Sequence, residues 1–483
     1  MLFVSEEFLL IFLPIVLAGY YAIHILTHNI TAKNIWLLAS SIVFYAWGEP
    51  VYVFLMLGFI VFNYVMAIVI DSGRLKGAGV KRLLFALTLI VNISALVWFK
   101  YAGTIFARTS LSDMVSRIVL PIGISFYTFQ AMSYVADVYS GKLKAERNPM
   151  YVGLYISFFP QLIAGPIVRY ETVSDRIRDR KETYEDFGGG VERFVTGVIK
   201  KVLIANRMAV VADAVWDLVI DGRLEASLPL AWLGAISYTL QIFFDFSGYS
   251  DMAIGLGAMF GFKLPENFDH PYIAKSVTEF WRRWHMTLSG WFKDYVYIPL
   301  GGSRVSRLRL IFNLFIVWLL TGIWHGSNIT FVVWGLIYFV VLVTEKLVGV
   351  KVNGVYAGKG SGYILTNLVK RIYTLFTVIL AWVVFRSDSL KDALAYIKGM
   401  FDIHALNATA ATAYLKQNFI FYIAAVILCV PIRRYIDKHI EDSMPSLAVV
   451  YNGLYGLLLA AGFILSVTYI FNNAYNPFIY FNF

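Results

Sequence analysis

The run LIFNLFIVWLLTGIWHGSNITFVVWGLIYFVVLV, residues 310–343, is apolar for most of its length and carries the tetrad Trp324-His325-Gly326-Ser327 in its middle. An ionisable imidazole there is unusual, because a polar side chain at membrane depth is costly and as a rule faces a protein-lined cavity with a function. Length sharpens the reading. The apolar pieces on either side, Ile311–Trp324 and Ile329–Thr344, rise only about 21–24 Å as helices, against a bilayer core of roughly 30 Å. His325 is therefore expected within the membrane rather than beyond it. The alternative is a turn histidine at a shallow outer interface.

Working outward, the whole chain has the composition of a membrane protein. Of 483 residues, 59% are hydrophobic and 15% charged, and the mean hydropathy is +0.67, which excludes an ordinary soluble enzyme. Roughly eleven or twelve apolar segments read as spans: Leu9–Ile25, Ile35–Trp47, Val51–Ile70, Leu83–Phe99, Leu120–Val138, Val202–Ile220, Leu228–Phe260, Ile311–Trp324, Ile329–Thr344, Ile372–Phe385, Phe419–Ile432 and Val449–Ile470. The fold class expected is an all-α polytopic bundle with re-entrant and interfacial helices.

The start, Met1-Leu-Phe-Val-Ser-Glu-Glu, is acidic where a secretory signal is basic, so the first apolar run is expected to stay as an anchor. Lys and Arg cluster at Arg74–Arg82, Lys142–Arg147, Arg169–Lys181, Lys200-Lys201, Arg282–Arg309, Lys370-Arg371 and Arg433–Lys438. Placing these loops inside puts the amino terminus outside a bacterium-like cytoplasmic membrane. The formal charge of +10 suits anionic lipid headgroups or a polyanionic substrate on the inner face. Nucleic acid is a poor partner, since the basic residues are scattered between spans. Cys429 stands alone, which leaves no disulfide framework, thiolate metal site or thiol nucleophile.

No repeat or linker divides the chain, so residues 1–483 read as one membrane domain. Residues 161–309 are expected to hold re-entrant and amphipathic segments on the cytoplasmic side, and residues 387–418 an extracytoplasmic loop. In Tyr151–Arg169, Pro160, Gly165 and Pro166 interrupt an apolar helix. That predicts either a broken, re-entrant helix shielded by protein or an interfacial helix followed by a turn. In Gly261–Arg309, Ser276-Val-Thr-Glu279 has the spacing of a capping box. The aromatic sequence that follows predicts one helix through Phe280, Trp284, Leu288 and Trp291, pressed into the interface with His285 on or beside its apolar side.

Within Leu228–Phe260, Gln241, Asp245 and Tyr249 repeat at four-residue steps beside Ser247 and Asp251. Two carboxylates in a span should face the bundle interior, to orient a histidine, to carry protons or to tie helices together. His24 and His28 lack the acidic residue of a zinc-protease motif, and the chain has no Gly-x-Ser-x-Gly elbow or P-loop. No metal site is expected.

Several motifs in order carry a family resemblance. Phe44-Tyr-Ala-Trp-Gly48, Pro121-Ile-Gly-Ile-Ser-Phe-Tyr-Thr-Phe-Gln130, Phe159-Pro-Gln-Leu-Ile-Ala-Gly-Pro166, the 244–251 stretch FDFSGYSD, the 280–291 stretch FWRRWHMTLSGW, the 294–304 stretch DYVYIPLGGSR and Gly322-Ile-Trp-His325-Gly resemble the membrane-bound O-acyltransferase (MBOAT) family. The likeness is closest to its bacterial alginate O-acetylase branch and covers about Met1 to Arg386. The resemblance implies transfer of an acyl group to a hydroxyl, with an essential histidine in the membrane interior and a second polar residue on the preceding amphipathic segment. Those positions are His325 and His285.

The same resemblance implies a cytoplasmic acyl thioester, acetyl-CoA in the bacterial branch, as donor, with no permanently bound cofactor. It also implies a polysaccharide acceptor outside the cell, an alginate-like exopolysaccharide or peptidoglycan. A separate extracytoplasmic serine esterase-like (SGNH) acetyltransferase is the expected protein partner. In this scheme a neutral His325 is the general base. His285, Trp284, Arg282 and Arg283 are expected to meet the donor, with Trp324, Ser327, Asn328, Asp245, Tyr249 and Asp251 as further substrate contacts. Competing readings are D-alanyl transfer from a carrier protein to teichoic acid, and a proton-coupled transporter or flippase using Asp245, Asp251 and His325 as a relay.

Overall fold

The computed structural model describes residues 1–73, 77–115, 118–220, 227–349, 361–472 and 479. Arg74 and Lys76 of the first basic cluster lie outside them. Helices and turns account for the regular structure, and no strand occurs among the described residues. The fold class is the expected all-α membrane protein. Among the described residues, seven helices are long and apolar enough to cross a bilayer, or eight if the pair Thr409–Gln417 and Phe419–Leu428, bent by 72°, is one span.

The difference from eleven or twelve has a physical cause. Ile124–Tyr139, at 16 residues, and Asn206–Ile220, at 15, fall short of the roughly 20 residues that a bilayer requires. Ile30–Gly48 and Leu228–Met259 are long enough but bury polar residues: Lys33, Asn34 and Ser41 in the first, Gln241, Asp245 and Asp251 in the second.

The chain forms two compact units, one of Met1–Phe194 with Tyr249–Glu266, the other of Val195–Gly248 with Asn267–Phe483. The first contains the proline-interrupted segment, and there the broken helix is what forms. Pro149–Ser157 stops at Phe158, and Phe159–Leu162 restarts with Pro160 in its first turn. Freed backbone groups find buried partners, as membrane depth requires. Ser41 Oγ takes the amide of Phe159 at 3.1 Å, and the Tyr155 hydroxyl donates to the carbonyl of Val168 at 2.9 Å.

The second unit holds both predicted histidines. Its central feature is a hairpin of the helices Arg307–His325 and Ile329–Leu347. Each has 19 residues and so rises roughly 28 Å, close to the full bilayer core. The estimate of two short pieces is corrected here. The helices run on through Arg307 and Arg309 at one end and Glu345 and Lys346 at the other, because a long charged side chain reaches water from a helix end. What shelters His325 is the protein around it, not a shortage of helix.

Glycine sets the separation of the two helices. A Cβ on Gly322 would lie 2.5 Å from the carbonyl oxygen of Phe331, and one on Gly335 would lie 2.4 Å from that of Trp318. Small residues at these positions let the backbones touch. Residues 387–418, expected as a loop, contain the helices Leu390–Met400 and Thr409–Gln417. Ala393, Tyr396 and Met400, at three- and four-residue steps, give the first of them a buried face. Tyr396 stacks on Trp216 at 4.0 Å.

Because the atom that a Gly322 side chain meets is backbone, Gly322→Ala is expected to cost about 1–3 kcal/mol of stability. Thermal unfolding in detergent should show a lower midpoint. Gly58→Ala, whose new methyl meets nothing within 4 Å, should match the parent or exceed it.

Candidate active site

The approach to the site begins at a helix start. Ser276 Oγ accepts the amide of Glu279 at 3.0 Å, and Glu279 Oε2 accepts that of Lys275 at 3.0 Å. The expected capping box is thus present, with its return bond shifted by one residue. From the helix Ile329–Leu347, Glu345 accepts the amides of Val277 at 2.7 Å and Thr278 at 2.8 Å and the hydroxyl of Thr278 at 2.6 Å. A carboxylate at a helix N-terminus satisfies orphan donors and complements the helix dipole.

One continuous amphipathic helix does not follow. Val277–Arg283 ends at Trp284, His285 adopts the left-handed conformation with φ 43°, and Met286–Phe292 starts anew. The stripe predicted through Phe280, Trp284, Leu288 and Trp291 is therefore broken at the histidine. Asn267 holds the break: its carbonyl accepts the Met286 amide at 2.9 Å, and its Oδ1 accepts the Thr287 hydroxyl at 2.8 Å and the Thr287 amide at 3.3 Å. Left-handed backbone at a non-glycine residue costs about 1–3 kcal/mol and persists only when its surroundings enforce it.

Those bonds also set the tautomer. His285 Nδ1 lies 3.1 Å from Asn267 Oδ1. A backbone N–H can only donate, so the Asn267 atom it meets is the oxygen, and Nδ1 must then carry the proton. Nε2 of the neutral ring is left as a lone pair, and it has no hydrogen-bond partner among the described residues. Burial pushes the His285 imidazole well below the ordinary histidine range, so the neutral form prevails.

The two histidines come together. Both rings line one small cavity of about 10 Å³ with Trp281, Trp284, Trp334 and Trp382, space for about one water. Trp324 bridges them, its ring centroid 6.2 Å from that of His285 and 4.9 Å from that of His325. His325 also meets Trp334 edge-on at 4.9 Å and Phe385 at 5.1 Å. Only 7% of His325 and 1% of His285 is exposed, which places both in an aromatic shell rather than against lipid.

Trp281 also lines a second cavity of about 410 Å³, together with Arg282, Lys293, Tyr297 and Lys346. Of the remaining predicted residues, Arg283 is turned away. Its guanidinium bonds Glu279 Oε1 at 3.0 Å and both the carbonyl and a carboxylate oxygen of Asp269 at 3.1 Å. Ser327 is exposed at the turn, and Asn328 caps the next helix through Thr330 while donating to the carbonyl of Asp388.

The helix Leu228–Met259 reaches the small cavity through Ile242 and Phe246 rather than through its carboxylates. Asp245 pairs with Lys201 at 2.7 Å and accepts the amide of Ile479 at 2.9 Å. Tyr249 and Asp251 belong to the other unit, where Asp251 pairs with Arg193 at 2.7 Å and Tyr249 stacks on Phe3 at 4.5 Å. Sequence reasoning missed Asn267, Trp281, Trp334, Trp382 and Phe385. Asn267 carries no periodic signal, and the aromatics look like any interior of an apolar bundle.

Comparison with known proteins identifies relatives of the chain. The sequence model of MBOAT, the membrane-bound O-acyltransferase family, matches residues 83–385, a span that contains both histidines. The chain is 37% identical to the probable alginate O-acetylase AlgI of Pseudomonas aeruginosa, over 93% of this chain and 85% of that protein. It is 37% identical to the probable alginate O-acetylase AlgI of Pseudomonas putida over the full length of both. To the peptidoglycan O-acetyltransferase of Helicobacter pylori it is 32% identical over 100% of this chain and 98% of that one.

If Asn267 fixes the ring of His285, its loss should act at a distance. Asn267→Leu is expected to lower the turnover of O-acyl transfer by about 10²-fold, the usual effect of a displacement on the order of 1 Å. The protein should still elute as a single folded species; unchanged turnover would remove Asn267 from the site.

Proposed function

Because this chain belongs to the membrane-bound O-acyltransferase family and is thus a multi-pass membrane acyltransferase, we propose that it takes an acetyl group from cytoplasmic acetyl-CoA and passes it across a bacterial inner membrane. The acceptor we assign is an extracytoplasmic polysaccharide, an alginate-like exopolysaccharide or peptidoglycan, reached with the help of a separate serine esterase-like (SGNH) partner. In this reading the amino terminus lies outside, and the basic loops face the donor. The single observation that supports it best is the pair of imidazoles lining one buried cavity, with Trp281 shared between it and the larger cationic one.

The parts divide as follows. Arg282, Lys293 and Lys346 meet the donor phosphates at the larger cavity, where Arg supplies paired donors and Lys a mobile charge. The pantetheine arm passes Trp281, and the thioester arrives beside His325. His325 takes the proton of the acceptor hydroxyl as its oxygen attacks the thioester carbon, then returns that proton to the departing thiolate. His285 offers Nε2 as an acceptor toward an O–H or N–H of the reactants. It is not suited, in its neutral form, to hold a carbonyl oxygen. Asp245 and Asp251, each tied up in an ion pair, serve the scaffold in this reading.

His325→Ala should reduce turnover by about 10²–10⁴-fold with the protein still folded. Acetyl-ester formation from labelled acetyl-CoA, in vesicles with partner and glycan present, measures it; full activity in the variant ends the base assignment. Arg282→Ala and Lys346→Ala should raise KM for acetyl-CoA and leave KM for acetyl-pantetheine, which lacks the nucleotide phosphates, near the parent value. Equal effects on both donors would detach these cations from phosphate binding.

A further inference from the structure

Acyl transfer generates negative charge on the carbonyl oxygen, and the site as described so far has no donor for it. His285 presents a lone pair, and His325 is engaged with the hydroxyl proton. Three of the tryptophans that line the cavity, Trp281, Trp334 and Trp382, have a buried indole Nε1; that of Trp382 faces the Tyr272 hydroxyl, which leaves two donors. The indole Nε1 atoms of Trp281 and Trp334 are buried and have no hydrogen-bond partner among the described residues. Their residues are 8% and 0% exposed, and both rings line the cavity that holds the two histidines. They lie close together, with centroids 5.7 Å apart, and Trp334 stands edge-on to His325 at 4.9 Å.

A buried N–H without an acceptor is costly. Two in one wall form a chamber that lacks an acceptor until a ligand brings one. Neither fills a purely apolar role well, since phenylalanine would pack there without an orphaned donor. We propose that the indole N–H groups of Trp334 and Trp281 form the oxyanion hole of this enzyme, donating to the carbonyl oxygen of the acyl group during transfer. This rests on the acyl-transfer reading given above.

The acceptor oxygen bonds to the carbonyl carbon while its proton passes to His325. The carbonyl π pair moves onto the oxygen, where the two indoles hold it. The pair then returns to re-form the carbonyl, the C–S bond breaks, and the thiolate takes the proton back from His325. Donors fixed in a water-poor cavity act here without reorganisation, which is where such bonds have their greatest effect.

Trp334→Phe and Trp281→Phe keep an aromatic ring and remove the N–H. Each should lower kcat by about 10²–10³-fold with KM for the donor little changed. Trp216→Phe, which removes the same group from the stack on Tyr396, should stay near the parent. Parent-like kcat in both cavity variants overturns the proposal. So does a loss confined to KM or matched by Trp216→Phe. His325→Ala in the same assay tests the base separately, so loss of activity there with parent-like tryptophan variants rejects the indoles alone.

Infrared spectroscopy of bound acetyl-CoA carrying ¹³C at the carbonyl, with acceptor withheld, does not depend on the variants folding. The thioester band should lie below its position in water for the parent protein, and an unshifted band overturns the assignment.

Discussion

The carboxamide oxygen of Asn267 collects three donors, from His285 Nδ1, the Thr287 amide and the Thr287 hydroxyl, and the site is built around that convergence. A local hydrogen-bonded arrangement of this kind outcompetes helix propagation. It stops the helix that the aromatic periodicity favours and turns His285 inward. It also decides which nitrogen of that ring holds the proton. The backbone geometry and the tautomer of one histidine thus follow from one residue eighteen positions earlier in the chain.

Around that point the second unit is fastened by close contacts between its helices. Glu345 caps Val277–Arg283 from the far helix of the hairpin, and Gly322 and Gly335 bring the two helices of that hairpin to backbone contact. His325 ends the first helix, where the extended backbone at Gly326 turns the chain toward the second. Trp281 packs against Trp318, Trp334 and Tyr338 at 4.7, 5.7 and 5.0 Å. Large rings interlocked in this way are rigid, and rigidity is what a site needs when its polar atoms must wait unsolvated for a substrate.

Charge inside this protein is mostly neutralised where it sits. Lys201 with Asp245, Arg386 with Asp213 and Arg193 with Asp251 are partnered within their own units. Lys33, Arg180 and Glu182 form a buried group near Tyr20. Asn63 and Asn92 exchange hydrogen bonds at 3.0 and 2.9 Å between neighbouring spans. Breaking such a pair leaves a charge or amide stranded in a poor solvent.

Composition and the apolar runs determined the membrane class and the all-helical fold, and the imidazole inside an apolar run singled out His325; its pairing with His285 was implied by the family resemblance. Those features are local: a run of apolar residues or a motif such as Trp324-His325-Gly326 is written in consecutive positions. Helix ends were misjudged where arginine and lysine continue a helix into water, since hydropathy sees the charge and not the length of the side chain. The break at His285, the withdrawal of Arg283 and the pairing of Asp251 with Arg193 were decided by tertiary structure alone. Each depends on a partner far along the chain, Asn267, Asp269 or Arg193, and no periodicity in a single sequence records which distant side chain arrives to make the bond.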